Sequence, residues 1–299
     1  MEQQPGQPFA AMTRRAFLAK GMALLATSRA ESQAPQRAAF IDWALLETAL
    51  ALGVTPAAAS ELIQYRSLVV EPPLPETVAD LGLRGSPSFE MLRQVAPDVI
   101  VISQFYEYQR SQLERIAPVL SLPVYEAGIP PYALVEDSTL KLGEAFGIAD
   151  TARRYVDEVA LEIEIGRQVL APYRARPFFV INLGDSRHFR AFGGDSMFGD
   201  VLGRLGLENA WTYTTSYSAA APVGIEALAR VPEAGIIIVE PSPPEVARGL
   251  SRNAIWNALP AVKAGRVASI APVSHFGGLP SARRFARLFE TAVSDWPVT

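Results

Sequence analysis

Unbroken apolar runs of four or five residues punctuate the chain. Val99-Ile100-Val101-Ile102 and Gly235-Ile236-Ile237-Ile238-Val239 are the purest of them. A continuous β-branched run of this length, bounded by turn residues, predicts a strand buried on both faces. Phe178 to Leu183 predicts another, and Ala38 to Ile41, Pro123 to Tyr125 and Val267 to Ile270 predict shorter ones. Between these runs the apolar spacing changes to three and four. Leu45, Leu46, Ala49 and Leu52 share one face of a predicted helix from Trp43 to Leu52, which ends at Gly53. Further helices are predicted over 87–95, 112–116, 137–146, 200–205, 224–229, 253–258 and 281–293. For the first of these, Ser86 is the predicted N-cap and Pro87 the first helical residue. Strand and helix alternate in both halves, which predicts an α/β fold with mainly parallel sheets wrapped by helices.

One helix is longer. Asp150 can cap a segment running from Thr151 to about Leu170 and closed by Pro172, in which Tyr155, Val159, Leu161, Ile163, Ile165 and Val169 alternate with charges. At 1.5 Å per residue it reaches about 30 Å, enough to cross between two lobes. Periodicity alone fits a surface helix of one domain equally well. The segments Phe89 to Ile102 and Gly224 to Val239 echo one another: each places a glutamate on a short helix, then a proline, then a buried strand. That echo predicts two similar lobes with a cleft between them.

Composition narrows the class. No apolar run reaches the length of a membrane-spanning helix. Cysteine is absent, which excludes disulfides, thiolate metal sites and attachment of lipid to an N-terminal cysteine. The formal net charge of −4 gives no footprint for nucleic acid. The N-terminus is an address. Thr13-Arg14-Arg15-Ala16-Phe17-Leu18-Ala19-Lys20 resembles the twin-arginine export signal, followed by a short apolar stretch and Ser28-Arg29-Ala30 as a cleavage motif. Cleavage is expected after Ala30 or Ala34, with residues 31–37 as a spacer.

Candidate chemistry is sparse. There is no G-x-S-x-G elbow, no P-loop and no G-x-G-x-x-G after a strand. Only two histidines occur, His188 in a loop and His275 just after a strand end. Ligand loops sit at the carboxyl ends of parallel strands, which makes His275 a candidate to line a cleft. The same rule selects Tyr106, just beyond the strand at 99–102, and Arg84 is selected by the layout of its loop, Gly82-Leu83-Arg84-Gly85, which presents a charge ahead of a helix and that buried strand. Arg84 is therefore read as facing a ligand and Glu90, on the helix between them, as facing a partner protein. Tyr213 and Tyr217 form a second polar-aromatic loop in the other half, where Trp211 is read as structural.

These residues resemble a family. Tyr65-Arg66, Val70-Glu71-Pro72-Pro73-Leu74-Pro75, Gly82-Leu83-Arg84, Phe192-Gly193, Asn209-Ala210-Trp211, and Trp256 through Gly265-Arg266 are similar to periplasmic ferric-hydroxamate siderophore-binding proteins of ABC importers. The EPPLP loop and the GLR segment are the most specific. The resemblance implies two Rossmann-like lobes, 35–149 and 173–299, joined by the long helix over 150–172, with a shallow cleft and little closure. It implies that Arg84 hydrogen-bonds the oxygens that chelate ferric iron and that Tyr106 adds a hydroxyl bond. Iron would arrive chelated, so no protein ligand to metal and no cofactor are expected. The family's pocket tryptophans fall at Leu68, at or beside Ser218, and at Ser274, with Tyr217 and Phe276 as the compensating aromatics. Glu90 and Glu226 match acidic residues that dock into arginine pockets of the inner-membrane permease, which works with its ATPase.

The expectation is therefore a monomeric periplasmic binding protein that captures ferric hydroxamate-type siderophores, with no enzymatic activity. Its recognition would be lopsided, with the polar anchor in the N-terminal lobe and the remaining contacts across the cleft. A protein of the same architecture for cobalamin or heme is the alternative. An exported α/β hydrolase using serine, aspartate and His275 is a second one.

Overall fold

The computed structural model describes residues 37–215 and 219–297. The export signal and spacer at 1–34, and Tyr217 and Ser218, lie outside the described residues.

The first lobe is built on five parallel strands: β1 (Ala38–Phe40), β2 (Ala58–Ala59), β3 (Ala79–Asp80), β4 (Val99–Ile102) and β5 (Val119–Ser121). Their order is β3-β2-β1-β4-β5, with Ala39 in register with Ala58 on one side and Ile100 on the other. Helices α1 (Trp43–Ala51), α2 (Leu62–Leu68) and α3 (Phe89–Val95) follow the first three strands, and a 3-10 helix (Gln104–Gln109) follows β4. Asp42 starts α1 by accepting from the backbone N–H groups of Ala44 at 2.8 Å and Leu45 at 3.2 Å.

Three of the predicted boundaries that move in this lobe do so for a local reason. The cap of α3 is Ser88, not Ser86: its hydroxyl accepts from Met91 N at 3.1 Å. The chain through Pro87 is held extended because Ser88 N donates to Leu81 O at 2.7 Å, which delays the helix. The predicted strand at Pro123 to Tyr125 lies four residues earlier, at β5. There Val119 and Ser121 are in register with Ile100 and Ile102, and Pro123 has no N–H to give a ladder. The helix predicted over 137–146 begins six residues sooner, as α4 (Pro131–Ala145), with proline in its first turn.

The long helix is α5 (Ala149–Val169). Asp150 lies in its first turn and pairs with Arg153 rather than capping it. Its buried face is Ala152, Tyr155, Val156, Val159, Ile163 and Gly166. Leu161, Ile165 and Val169, read as part of the apolar stripe, are 62%, 52% and 51% exposed. A period of 3.6 carries them around to the solvent side.

The second lobe holds a mixed sheet: β6 (Pro177–Leu183), β7 (His188–Ala191), β8 (Glu208–Asn209), β9 (Ala220–Gly224), β10 (Gly235–Val239) and β11 (Val267–Ile270). Its order is β11-β10-β6-β7-β9, with β8 beside β6. β6, β10 and β11 run parallel; β7 is antiparallel to β6 and β9. The hairpin from β6 to β7 turns at Asp185, whose Oδ1 accepts from Arg187 N at 2.6 Å and His188 N at 2.8 Å. Glu226 sits on a 3-10 helix (Ile225–Arg230) ahead of β10, so the predicted echo holds in order but not in helix type.

Among the helices of this lobe are α6 (Met197–Arg204) and α7 (Leu279–Val293), with shorter ones at Pro244–Ser251, Ala254–Ala258 and Pro260–Lys263. α7 ties the lobes together. Glu47 of α1, fully buried, accepts from Gly278 N at 2.6 Å, Ser281 N at 3.1 Å and Ser281 Oγ at 2.8 Å at its start. One continuous hydrophobic core runs from Phe40 and Leu45 in the first lobe to Phe178, Phe198, Phe285 and Phe289 in the second.

Candidate functional site

The cleft lies where the carboxyl ends of both sheets meet, the expected place for a ligand in an open α/β sheet. Two cavities occupy it, of about 250 Å³ and about 400 Å³, and Trp43, Arg84 and Phe276 line both. Five of the lining segments follow a strand. Trp43 comes after β1, Glu61 after β2, Arg84 after β3 and Tyr106 after β4, while Ser274-His275-Phe276 follows β11.

Arg84 is held in place from three sides. Its Nε donates to Glu61 Oε2 at 2.7 Å, and its backbone N donates to Glu61 Oε1 at 3.0 Å. Its guanidinium carbon lies 3.7 Å from the centre of the Trp43 ring. A guanidinium stacked on an indole gains from the ring's negative face and loses rotational freedom. Glu61 adopts a left-handed backbone (φ 55°), which costs a non-glycine residue of order 1–2 kcal/mol, and its N–H donates to Gly82 O at 2.8 Å. The strained residue thus grips the Arg84 loop at both ends. With Nε spent on Glu61, Nη1 and Nη2 have no partner among the described residues and are available to a ligand.

Tyr106, half-buried on the 3-10 helix, lines the larger cavity, and its hydroxyl has no partner among the described residues. Burial pushes its phenol well above the ordinary range, so it is a proton donor at any working pH. Tyr108 is 67% exposed and turned away, with its hydroxyl donating to Gly85 O at 3.1 Å. Asp42 borders the same cavity; Ser103 Oγ donates to it at 2.6 Å, and burial pushes its carboxyl up.

The second lobe's wall is more apolar. Ser274, His275 and Phe276 line the smaller cavity from that side, with Phe192, Phe198, Val239 and Val273, while Leu68 of α2 lines it from the first lobe. His275 lies against the rings of Phe276, at 4.3 Å, and Phe192, at 5.6 Å, and its carbonyl accepts from Tyr125 Oη at 2.7 Å. Burial, then the Arg190 and Arg84 cations, push its imidazole down to about 4. Among the described residues the ring has neither a serine hydroxyl nor a carboxylate as hydrogen-bond partner, so it lacks the connections of a hydrolytic general base. No group of three or more His, Asp or Glu is arranged to hold a metal ion among the described residues.

Sequence reasoning placed Arg84, Tyr106, Leu68, Ser274, His275 and Phe276 at a site, and the structure brings all six to one cleft. Glu90 and Glu226 are exposed and do not line it. Trp211 packs edge-on against Phe189 in the second lobe's core. Trp43, Glu61, Phe105 and Arg190 were missed. Trp43 was legible, since it stands beyond a buried strand just as Tyr106 does. Glu61 was not, because its role depends on a two-residue strand with no pattern of its own.

Residues 39–273 match the model of the family described as periplasmic binding protein. The chain belongs to that family. Among its members, the iron(3+)-hydroxamate-binding protein FhuD of Escherichia coli (strain K12) is 30% identical over 267 residues, which is 89% of this chain and 90% of that one. The Fe3+-Desferal-bound siderophore-binding protein FhuD from Vibrio cholerae superposes with a TM-score of 0.81 at 26% identity, covering 87% of this chain and 98% of that one. The petrobactin-binding protein YclQ of Bacillus subtilis shares the fold, with a TM-score of 0.73 at 18% identity, over 88% of this chain and 93% of that one.

Proposed function

We propose that this protein captures ferric hydroxamate-type siderophores in the periplasm and delivers them to an inner-membrane ABC permease and its ATPase. The observation that carries the reading is Arg84: a guanidinium stacked on Trp43, tethered through Nε to Glu61, with both Nη atoms open to the cleft. Hydroxamate oxygens on ferric iron keep negative charge, and a charge-assisted bond to them is stronger and more directed than a neutral one. The Tyr106 hydroxyl is a second donor on the same wall. A hexadentate chelate fills the iron's coordination sphere, so the protein recognises the complex by hydrogen bonds and shape and releases it unchanged. The Escherichia coli relative is named for iron(3+)-hydroxamate binding and the Vibrio cholerae neighbour holds Fe3+-Desferal, which supports the same ligand class here.

Ser274, His275 and Phe276 form the opposite wall in this reading, with Tyr217 and Ser218 completing it, and Leu68 lies on the Arg84 side. Small or aliphatic side chains at Leu68 and Ser274 leave room for a bulkier chelate than indoles there would. The exposed carboxylates Glu90 and Glu226, one on each lobe, serve as docking points for cationic pockets of the permease. The protein acts as a monomer, exported through its twin-arginine signal, with lobes at 35–149 and 173–299 and a linker helix over 150–172.

Titration of tryptophan fluorescence tests the ligand class, since Trp43 lines the cleft. Saturable quenching by a ferric hydroxamate, and none by the iron-free chelator, is expected. Failure of every ferric hydroxamate in a panel, together with binding of heme or cobalamin, overturns the reading.

A further inference from the structure

The second lobe's wall carries a cation of its own. Along β7 the side chains alternate, His188 and Arg190 exposed, Phe189 and Ala191 buried. Arg190 is in register with Asn182 of β6, so both stand on the cleft side of the hairpin and both line the smaller cavity. Asn182 is committed: its Nδ2 donates to Val239 O at 2.8 Å and Pro241 O at 3.2 Å. The Glu240 carboxylate on the same wall accepts from Ser242 N. The guanidinium of Arg190 has no hydrogen-bond or ion-pair partner among the described residues. It shares the cavity with Arg84, and the cations of both act on His275. Anionic counterweights near Arg84 exist, in Glu61 and Asp42; among the described residues lining the smaller cavity the one carboxylate is that of Glu240, which is turned to its own backbone.

Charge counting separates the two arginines. Three hydroxamates neutralise Fe3+, so a plain trishydroxamate complex has no net charge, and Arg84 with Tyr106 already answers its oxygens. An additional full positive charge with no ion-pair partner among the described residues gains little from such a ligand and much from an anion. We propose that Arg190 is a specificity-determining residue and that the ligand is a ferric hydroxamate chelate bearing a free carboxylate on the side that faces the second lobe. This rests on the ligand class proposed above and narrows it.

A matched pair of probes tests it: the ferric complexes of one linear trishydroxamate amine, capped with acetyl or with succinyl, so that the two differ by a single carboxylate. Fluorescence titration of the wild-type protein is expected to give roughly five- to tenfold tighter binding of the succinyl complex, a preference that shrinks from about 50 mM to about 500 mM salt. In Arg190→Leu the ratio of affinities should fall to about one, and in Arg190→Lys part of it should return. Arg190→Gln, checked by thermal melting, replaces Arg190→Leu if that variant does not fold. Equal affinity of the wild type for both complexes, or a ratio that survives in Arg190→Leu, overturns the proposal while leaving the ligand class standing. Failure of both complexes to bind the wild type overturns the two readings together.

Discussion

Arg84 is positioned by one carboxylate and one indole, and each leaves the outer edge of its guanidinium free. Truncation at Arg84 removes a charged hydrogen bond to the ligand and leaves the half-buried Glu61 carboxylate without its guanidinium partner. Arg84→Ala is therefore expected to weaken ferric hydroxamate binding by roughly 1.5–3 kcal/mol, about ten- to a hundredfold in Kd by fluorescence titration. An unchanged Kd would remove Arg84 from the site. That residue was legible because a lone cation flanked by glycines stands ahead of an unmistakable strand. Arg190 was not. Its strand, His188-Phe189-Arg190-Ala191, is four residues long, and only pairing with β6 shows that its polar positions face the cleft. The N-terminal lobe carries Arg84, where the polar anchor was expected, and the second lobe adds another guanidinium to the lining of the smaller cavity.

The elements that the pattern revealed are those stabilised by their own side chains. β4, β6 and β10 are long enough to be buried by their own composition, and α5 and α7 by their own periodicity. β2 and β3, two residues each, exist through the ladder that they join, and Ala58–Ala59 and Ala79–Asp80 carry no β-branched signal. Close packing is equally invisible in a sequence. Gly143 of α4 meets α5 where a Cβ built on it would lie 2.3 Å from Ala152 Cβ. Intrinsic propensity favours alanine over glycine in a helix by about 1 kcal/mol, but forced overpacking costs typically 1–3 kcal/mol and here would push two helices apart. Gly143→Ala should consequently lower the melting temperature by a few degrees; a higher one would mean that the α4–α5 contact opens without cost.

At the scale of the molecule, two surfaces and one buried strut matter. Glu90 and Glu226 are exposed on separate lobes, away from the cleft. Glu90→Arg combined with Glu226→Arg is expected to abolish siderophore uptake by cells while leaving the purified protein's affinity for its ligand intact, and normal uptake would remove the docking role. The strut is Glu47, which crosses from α1 to the start of α7. Burial pushes its carboxyl up to about 8, against the pull of Ser281 and the Gly278 and Ser281 N–H groups. The folded protein therefore keeps a proton that the unfolded chain releases near 4.5, so this contribution to stability is complete below that pH and lost as the pH rises to about 8. His275 acts in the opposite sense: its imidazole, ordinarily near 6.5, protonates in the fold only near 4, so stability is lost as pH falls through that window. The two slopes oppose one another between about 4.5 and 6.5, and above 6.5 the Glu47 slope is left without that opposition. Thermal melts should accordingly show stability declining from pH 6.5 to 8. Glu47→Gln, which still offers Oε1 to both N–H groups and a donor to Ser281 Oγ, should make that decline shallower, whereas His275→Asn should reduce the loss on the acid side. A decline of the same steepness in Glu47→Gln would mean that the interlobe carboxyl is ionised in the folded protein and held by its three donors alone.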